Sequence, residues 1–116
     1  MTLITRIPLK KIIIDNSIVN ALKRKNSKFN IEKFSVDKGV EVGDLTRLDN
    51  VLDSIIKGVH LQPVKLSQVK IYVPPHKRIV KSINYRSMYY IIDGRHRIAS
   101  NILLNRENID AHVINY

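Results

Sequence analysis

Tyr89-Tyr90-Ile91-Ile92-Asp93-Gly94-Arg95-His96-Arg97-Ile98-Ala99-Ser100 decides how the rest of the chain is read. The stretch predicts a buried central strand over 88–92, a turn on one glycine, and a helix over 95–104. Ile98, Ile102 and Leu103 would face the core of that helix. Asp93, Arg95, His96 and Arg97 collect at the turn. Unpaired N–H groups and the macrodipole make a helix start attractive to anions. Gly94 permits positive φ and close backbone approach, as a phosphate-cradling turn requires. Arg95 and Arg97 then read as phosphate holders, since guanidinium groups match phosphate oxygens. Arg97 opposes the dipole unless an anion is bound there, or it pairs with Asp93. His96 can act as a general acid or base, or as a neutral donor to phosphate. Asp93 can orient Arg97, serve as a base, or bind a metal. The competing reading is a solvated strand–helix corner whose charges face water.

Composition narrows the partners. The chain has 116 residues, the size of one domain over 1–116. Twenty Lys and Arg against ten Asp and Glu give a net charge of +10. A field of that sign draws nucleic acid, nucleotides or an anionic membrane surface. The basic residues are dispersed, which argues against a disordered DNA-coating tail. Cysteine is absent, which excludes disulfides, thiolate chemistry and cysteine-bound zinc. No apolar run approaches the roughly 20 residues that span a bilayer, and the N-terminus lacks the marks of a signal peptide. The expectation is an intracellular protein, cytoplasmic or associated with the nucleoid or nucleus, without a membrane partner.

Outward from the turn, residues 7–14 predict an extended entry strand, because Pro8 disfavours helix and an isoleucine run follows. Asp15-Asn16-Ser17 can cap a helix over 18–25. Lys23 to Lys28 read as a basic connector, residues 29–36 as extended chain, and Asp37-Lys38-Gly39 as a turn. Apolar residues at 45, 48, 51, 52, 55 and 56 predict a helix over 44–58, capped by Asp44 and stopped by Gly58. Residues 69–73 alternate as a strand that Pro74-Pro75 ends. His76-Lys77-Arg78 turn, and 79–86 would return as a partner strand. That basic hairpin interleaves Lys70, Lys77, Arg78, Lys81 and Arg86 with Tyr72 and Tyr85, a composition suited to phosphate contact and base stacking. Residues 109–114 close the chain as a strand. The His, Asp and Glu positions lack metal-ligand spacing, so no resident metal site is expected.

The order of parts resembles the ParB N-terminal and sulfiredoxin superfamily. The matching pieces are Leu48…Ser54-Ile55-Ile56-Lys57-Gly58, Leu61-Gln62-Pro63-Val64, Tyr90-Ile91-Ile92-Asp93-Gly94-Arg95-His96-Arg97-Ile98-Ala99, and Ile109-Asp110-Ala111-His112-Val113. The resemblance implies a compact α+β domain, a small mixed sheet with helices packed on it, and here an inserted basic hairpin over 67–87. It implies a phosphate or nucleotide site at Gly94, Arg95, His96 and Arg97, with ATP or CTP and Mg²⁺ as its small molecules. Sulfiredoxins carry a nucleophilic cysteine where this chain has Arg95, so their thiol reaction is ruled out. ParB proteins continue into a helix-turn-helix region that has no counterpart here, which weakens the case for sequence-specific DNA clamping.

The leading expectation is therefore a nucleic-acid-binding module, with DNA as partner, that also holds a phosphate or nucleotide at the turn. Lys70, Tyr72, Lys77, Arg78, Lys81 and Arg86 are its nucleic-acid residues, and assembly into an oligomer is compatible with it. One alternative is a nuclease or nucleotide-dependent phosphotransferase with Asp93, His96 and Glu41 as catalytic groups. Another is a partner-binding module that kept the fold and lost the site.

Overall fold

The computed structural model of the protein describes residues 3–37, 45–59, 61–82 and 84–114. Its strands are β1 (Ile4–Pro8), β2 (Ile12–Asp15), β3 (Ser35–Asp37), β4 (Val64–Tyr72), β5 (Tyr85–Asp93) and β6 (Asn108–Ile114). Its helices are α1 (Asn16–Lys25), α2 (Leu48–Ile56) and α3 (Arg95–Leu103). The strands form one sheet in the order β1-β6-β4-β5-β2-β3. β2 runs parallel to β3 and β5, and β4 runs parallel to β6, while β1/β6 and β4/β5 are antiparallel. This is the small mixed α+β sheet with packed helices that the sequence predicts.

The core forms where one face of the sheet meets the helices. Ile7, Ile12, Ile14, Val64, Leu66 and Ala111 from strands pack with Ile18, Leu22, Leu48, Ile98 and Ile102 from helices. β5 lies inside the sheet but is only in part the buried strand expected over 88–92: Met88 is 3% exposed, whereas Tyr90 and Ile92 remain 45% and 44% exposed. Side chains alternate along a strand, and past Met88 that face of β5 is left uncovered.

Local chemistry explains the helix limits. The Asp15 carboxylate accepts a hydrogen bond from the Ile18 N–H at 3.0 Å and caps α1. Lys23, Arg24 and Lys25 occupy the last turn of α1, where the dipole favours cations. Gly58, with φ of +81°, ends α2; the Gly58 N–H donates to Ile55 and the Val59 N–H to Ser54. That is a Schellman stop. Asn105, with φ of 57°, ends α3 by the same pair of bonds, to Ile102 and Asn101.

Four boundaries depart from the sequence reading. Residues 7–14 are not one strand: β1 ends at Pro8, a 3-10 turn spans Leu9–Lys11, and β2 resumes far across the sheet. The Leu9 N–H donates to the Glu107 carbonyl at 2.9 Å, which holds the bend. Residues 29–36 contain a 3-10 turn at Ile31–Lys33 before β3, and this turn produces the three-residue apolar step from Ile31 to Phe34. α2 begins at Leu48 rather than 44; Asp44 lies outside the described residues, as do Lys38, Gly39, Glu41 and His60. The basic insertion is not a separate hairpin with a strand over 79–86. It is the outer half of one continuous ladder running from Lys65↔Asp93 to Tyr72↔Tyr85, and residues 79–82 are bends and turns. Among the described residues no helix is long and apolar enough to cross a membrane.

Candidate functional site

The turn after β5 is built around Gly94. Its φ is +109°, a region that side chains other than glycine rarely adopt. A Cβ there would also lie 2.8 Å from Val64 Cβ on the neighbouring strand. Glycine is thus required by backbone conformation and by close approach of β4, whatever binds at the turn. The first intrahelical bond of α3 runs from the Ile98 N–H to the Gly94 carbonyl at 2.9 Å.

The two arginines part company at once. Positions i and i+2 on a helix do not face each other. Arg95 reaches back 80 residues to form two bonds, 2.8 and 3.0 Å, with the Asp15 carboxylate. The side chains of that pair are only 18% and 10% exposed. Arg97 turns to the opposite side, donating to the Gln62 carbonyl at 2.5 Å, the Pro63 carbonyl at 3.2 Å and Asp93 at 3.2 Å. The Asp93 carboxylate is 65% exposed, so its pair with Arg97 lies at the surface. Arg97 also lines a groove of about 620 Å³ with Gln62, Asn101 and Arg106. The two guanidinium groups therefore point to different partners. Arg95 ties α3 to the cap of α1, and Arg97 ties it to the segment before β4.

His96 lies between these ties. Its Nε2 is buried with no hydrogen-bond partner among the described residues, and an unsatisfied buried polar atom costs about 1–3 kcal/mol. Burial first, then the charges of Arg47 and Arg95, hold its imidazole below the ordinary value of 6.5. Arg47, directly before α2, has no ion pair among the described residues. The starts of α1 and α3 thus meet through Asp15 and Arg95, and the charge of Arg47 reaches His96 from the segment before α2, whose first turn lies against the far end of α1, where Asp49 pairs with Lys25. Sequence reading missed Arg47 and the Asp15–Arg95 pair. Asp15 was legible as a helix cap, but nothing local joins it to residue 95. Glu41, the third catalytic candidate, lies outside the described residues.

The neutral His96 has a consequence for stability. Its folded-state pKa lies below its unfolded one, so it favours folding fully above pH 6.5, and that contribution is lost as the pH falls below it. Urea unfolding from pH 7.5 to 5 is expected to show a smaller loss of stability on acidification for His96→Gln than for the unmodified protein. Equal pH dependence would contradict the assignment.

The outer part of the β4/β5 ladder carries the nucleic-acid candidates. Between 64 and 92 the chain has Lys65, Lys70, Lys77, Arg78, Lys81 and Arg86 and not one Asp or Glu. Among the described residues no ion pair involves this segment. Lys70 pairs with Ser87, Ile71 with Arg86, and Tyr72 with Tyr85 across the ladder. Lys70 and Tyr72 therefore lie on one face and Arg86 on the other, while Lys77 and Lys81 sit at the exposed tip. Arg78 is engaged within the arm: its Nε donates to the Val73 carbonyl at 2.8 Å, an Nη donates to the Tyr72 hydroxyl at 3.1 Å, and its guanidinium lies 5.4 Å from the Tyr72 ring centre. Tyr85 packs edge-on against Tyr72 with ring centres 5.7 Å apart.

The class this architecture defines is the sulfiredoxin-like α+β fold, in which a strand–glycine–helix turn follows a central strand of a mixed sheet. Among solved structures the chain is similar to sulfiredoxin from Arabidopsis thaliana, with a TM-score of 0.50 and 18% identity, covering 98% of this chain and 86% of that one. At that identity the likeness is one of fold. No family model and no curated protein matches the sequence.

Proposed function

We propose that this protein binds nucleic acid, DNA first, through the outer β4/β5 arm. A single observation carries the reading: six cations between 64 and 92 with no carboxylate among them. An arm of that kind displaces counterions from phosphates, so its affinity falls steeply with salt. Arg78 is held by its own arm, so Lys77, Lys81 and Arg86 provide the better test. Replacing those three by alanine is expected to lower affinity for a duplex and to reduce the slope of log affinity against log salt by about 2.7, roughly 0.9 per lost phosphate contact. An unchanged slope overturns the assignment.

A phosphate or nucleotide, ATP or CTP, is proposed at the start of α3. The buried Nε2 of His96 in the first turn of α3, with the charges of Arg47 and Arg95 acting on that ring, supports it, since a helix start carries positive potential. Arg95 would add its charge without leaving Asp15. Here the expected result is a rise in the His96 pKa, read by NMR, when inorganic phosphate, ATP or CTP is added, because a bound anion favours imidazolium. No shift with any of the three argues against the site. A nuclease or phosphotransferase is the second reading, with the neutral His96 as its base; the Nε2 of that ring is buried and Asp93 is bound to Arg97, so the binding reading takes precedence.

A further inference from the structure

Resting on that DNA-binding reading, we propose that the arm tip is a wedge: Ile79, with Val80, inserts between base pairs of duplex DNA from the minor groove and kinks it. Ile79 is 101% exposed and Val80 50% exposed, at the end of an otherwise basic arm. An isoleucine so fully in water contributes nothing to the core, and it is flanked by Lys77, Arg78 and Lys81. The tip is nevertheless built rather than ragged. The ladder continues past Tyr72↔Tyr85 through a 2.8 Å bond from the Val73 N–H to the Asn84 carbonyl. Pro75–Lys77 then form a 3-10 turn, with the Lys77 N–H donating to the Pro74 carbonyl at 2.9 Å. Arg78 stiffens this end by its bonds to Val73 and Tyr72.

Two features select a duplex groove over a single strand. The cations lie on both faces of the ribbon and at its tip, as suits a groove with a phosphate backbone on each side. A flat single-strand platform would gather its cations on the face that carries its aromatic rings. Here Tyr72 and Tyr85 are 53% and 55% exposed, but Arg86 lies on the opposite face and Arg78 sits over the Tyr72 ring. The free apolar group at the tip is aliphatic, with no π-face on which a base could stack. Aliphatic wedges are the residues that unstack a base step and bend the duplex. Flexible pyrimidine–purine steps such as CA and TA would accept the wedge at least cost.

The test uses the full chain and a duplex of about 30 base pairs with a central CA step, labelled at both ends for energy transfer. The unmodified protein is expected to bend it by roughly 20–90°. Ile79→Ser with Val80→Ser should bind with the same salt slope and leave the duplex straight. Both residues are exposed, so this variant keeps its core. A bound but straight duplex with the unmodified protein, or an undiminished bend with the variant, overturns the wedge and leaves DNA binding standing. No DNA binding by the unmodified protein overturns both. Ile79-dependent flotation with vesicles of anionic phospholipid, without DNA bending, would assign the tip to a membrane surface and also overturn the wedge.

Discussion

Gly94→Ala is expected to destabilise the protein by about 2–5 kcal/mol. The left-handed backbone costs a residue with a side chain about 1–2 kcal/mol, and overpacking a filled site typically adds about 1–3 kcal/mol. Here the overpacked neighbour is Val64, fully buried on β4 with its Cβ 2.8 Å from the added methyl. Domains of this kind are stable by about 5–15 kcal/mol, so the urea midpoint should fall sharply at unchanged m-value. Gly58→Ala supplies the comparison. Its φ is also positive, but an added Cβ meets nothing within 4 Å, so only the conformational cost of about 1–2 kcal/mol applies. Combining Gly94→Ala with Val64→Ala should cost less than the sum of the two single changes, because they share one contact. Similar losses at both glycines would show that the approach of β4 is not what demands Gly94.

Arg95→Met is the second large effect. It leaves the Asp15 carboxylate, 10% exposed, without its two-bond partner. Breaking a buried pair by removing one member typically costs about 3–5 kcal/mol, since a charge stays behind in a poorly solvating site. The double change Arg95→Met with Asp15→Ser should recover much of that loss. Serine still caps α1 toward the Ile18 N–H, and no stranded charge remains. A double variant as unstable as Arg95→Met alone would mean that Arg95 matters through its packing and not through the pair. Arg97→Met should cost less, because its carboxylate partner, Asp93, is 65% exposed and returns to water.

These two residues also show how far local reading reaches. Asp15 is visible as a cap because a cap acts within three residues, and Gly58 as a stop because a Schellman turn acts within five. The helix after Gly94 follows from its apolar spacing. That same spacing, taken with the helix geometry it implies, separates Arg95 from Arg97 onto opposite sides, so the two guanidinium groups do not meet despite their closeness in sequence. The partner of Arg95 lies 80 residues away, and no local pattern reports a contact of that length. The same limit hid the bend at Leu9, which is held by Glu107. Hydrophobic alternation cannot show where a hairpin's ladder ends, so the arm was legible as basic and paired, but not as the outer half of β4 and β5.

By itself the sequence determined the strand–glycine–helix turn, the α+β class, the absence of thiol chemistry and a hairpin without a single carboxylate. Each of these depends on residue type or on neighbours within a few positions. Only the tertiary structure decided that Arg95 and Arg97 hold the fold together, that the charge of Arg47 reaches His96 from the start of another helix, and that the cations of the arm lie on both its faces with Ile79 fully exposed at its tip. Those are contacts between distant segments, and their energies depend on burial and direction that the order of residues does not contain.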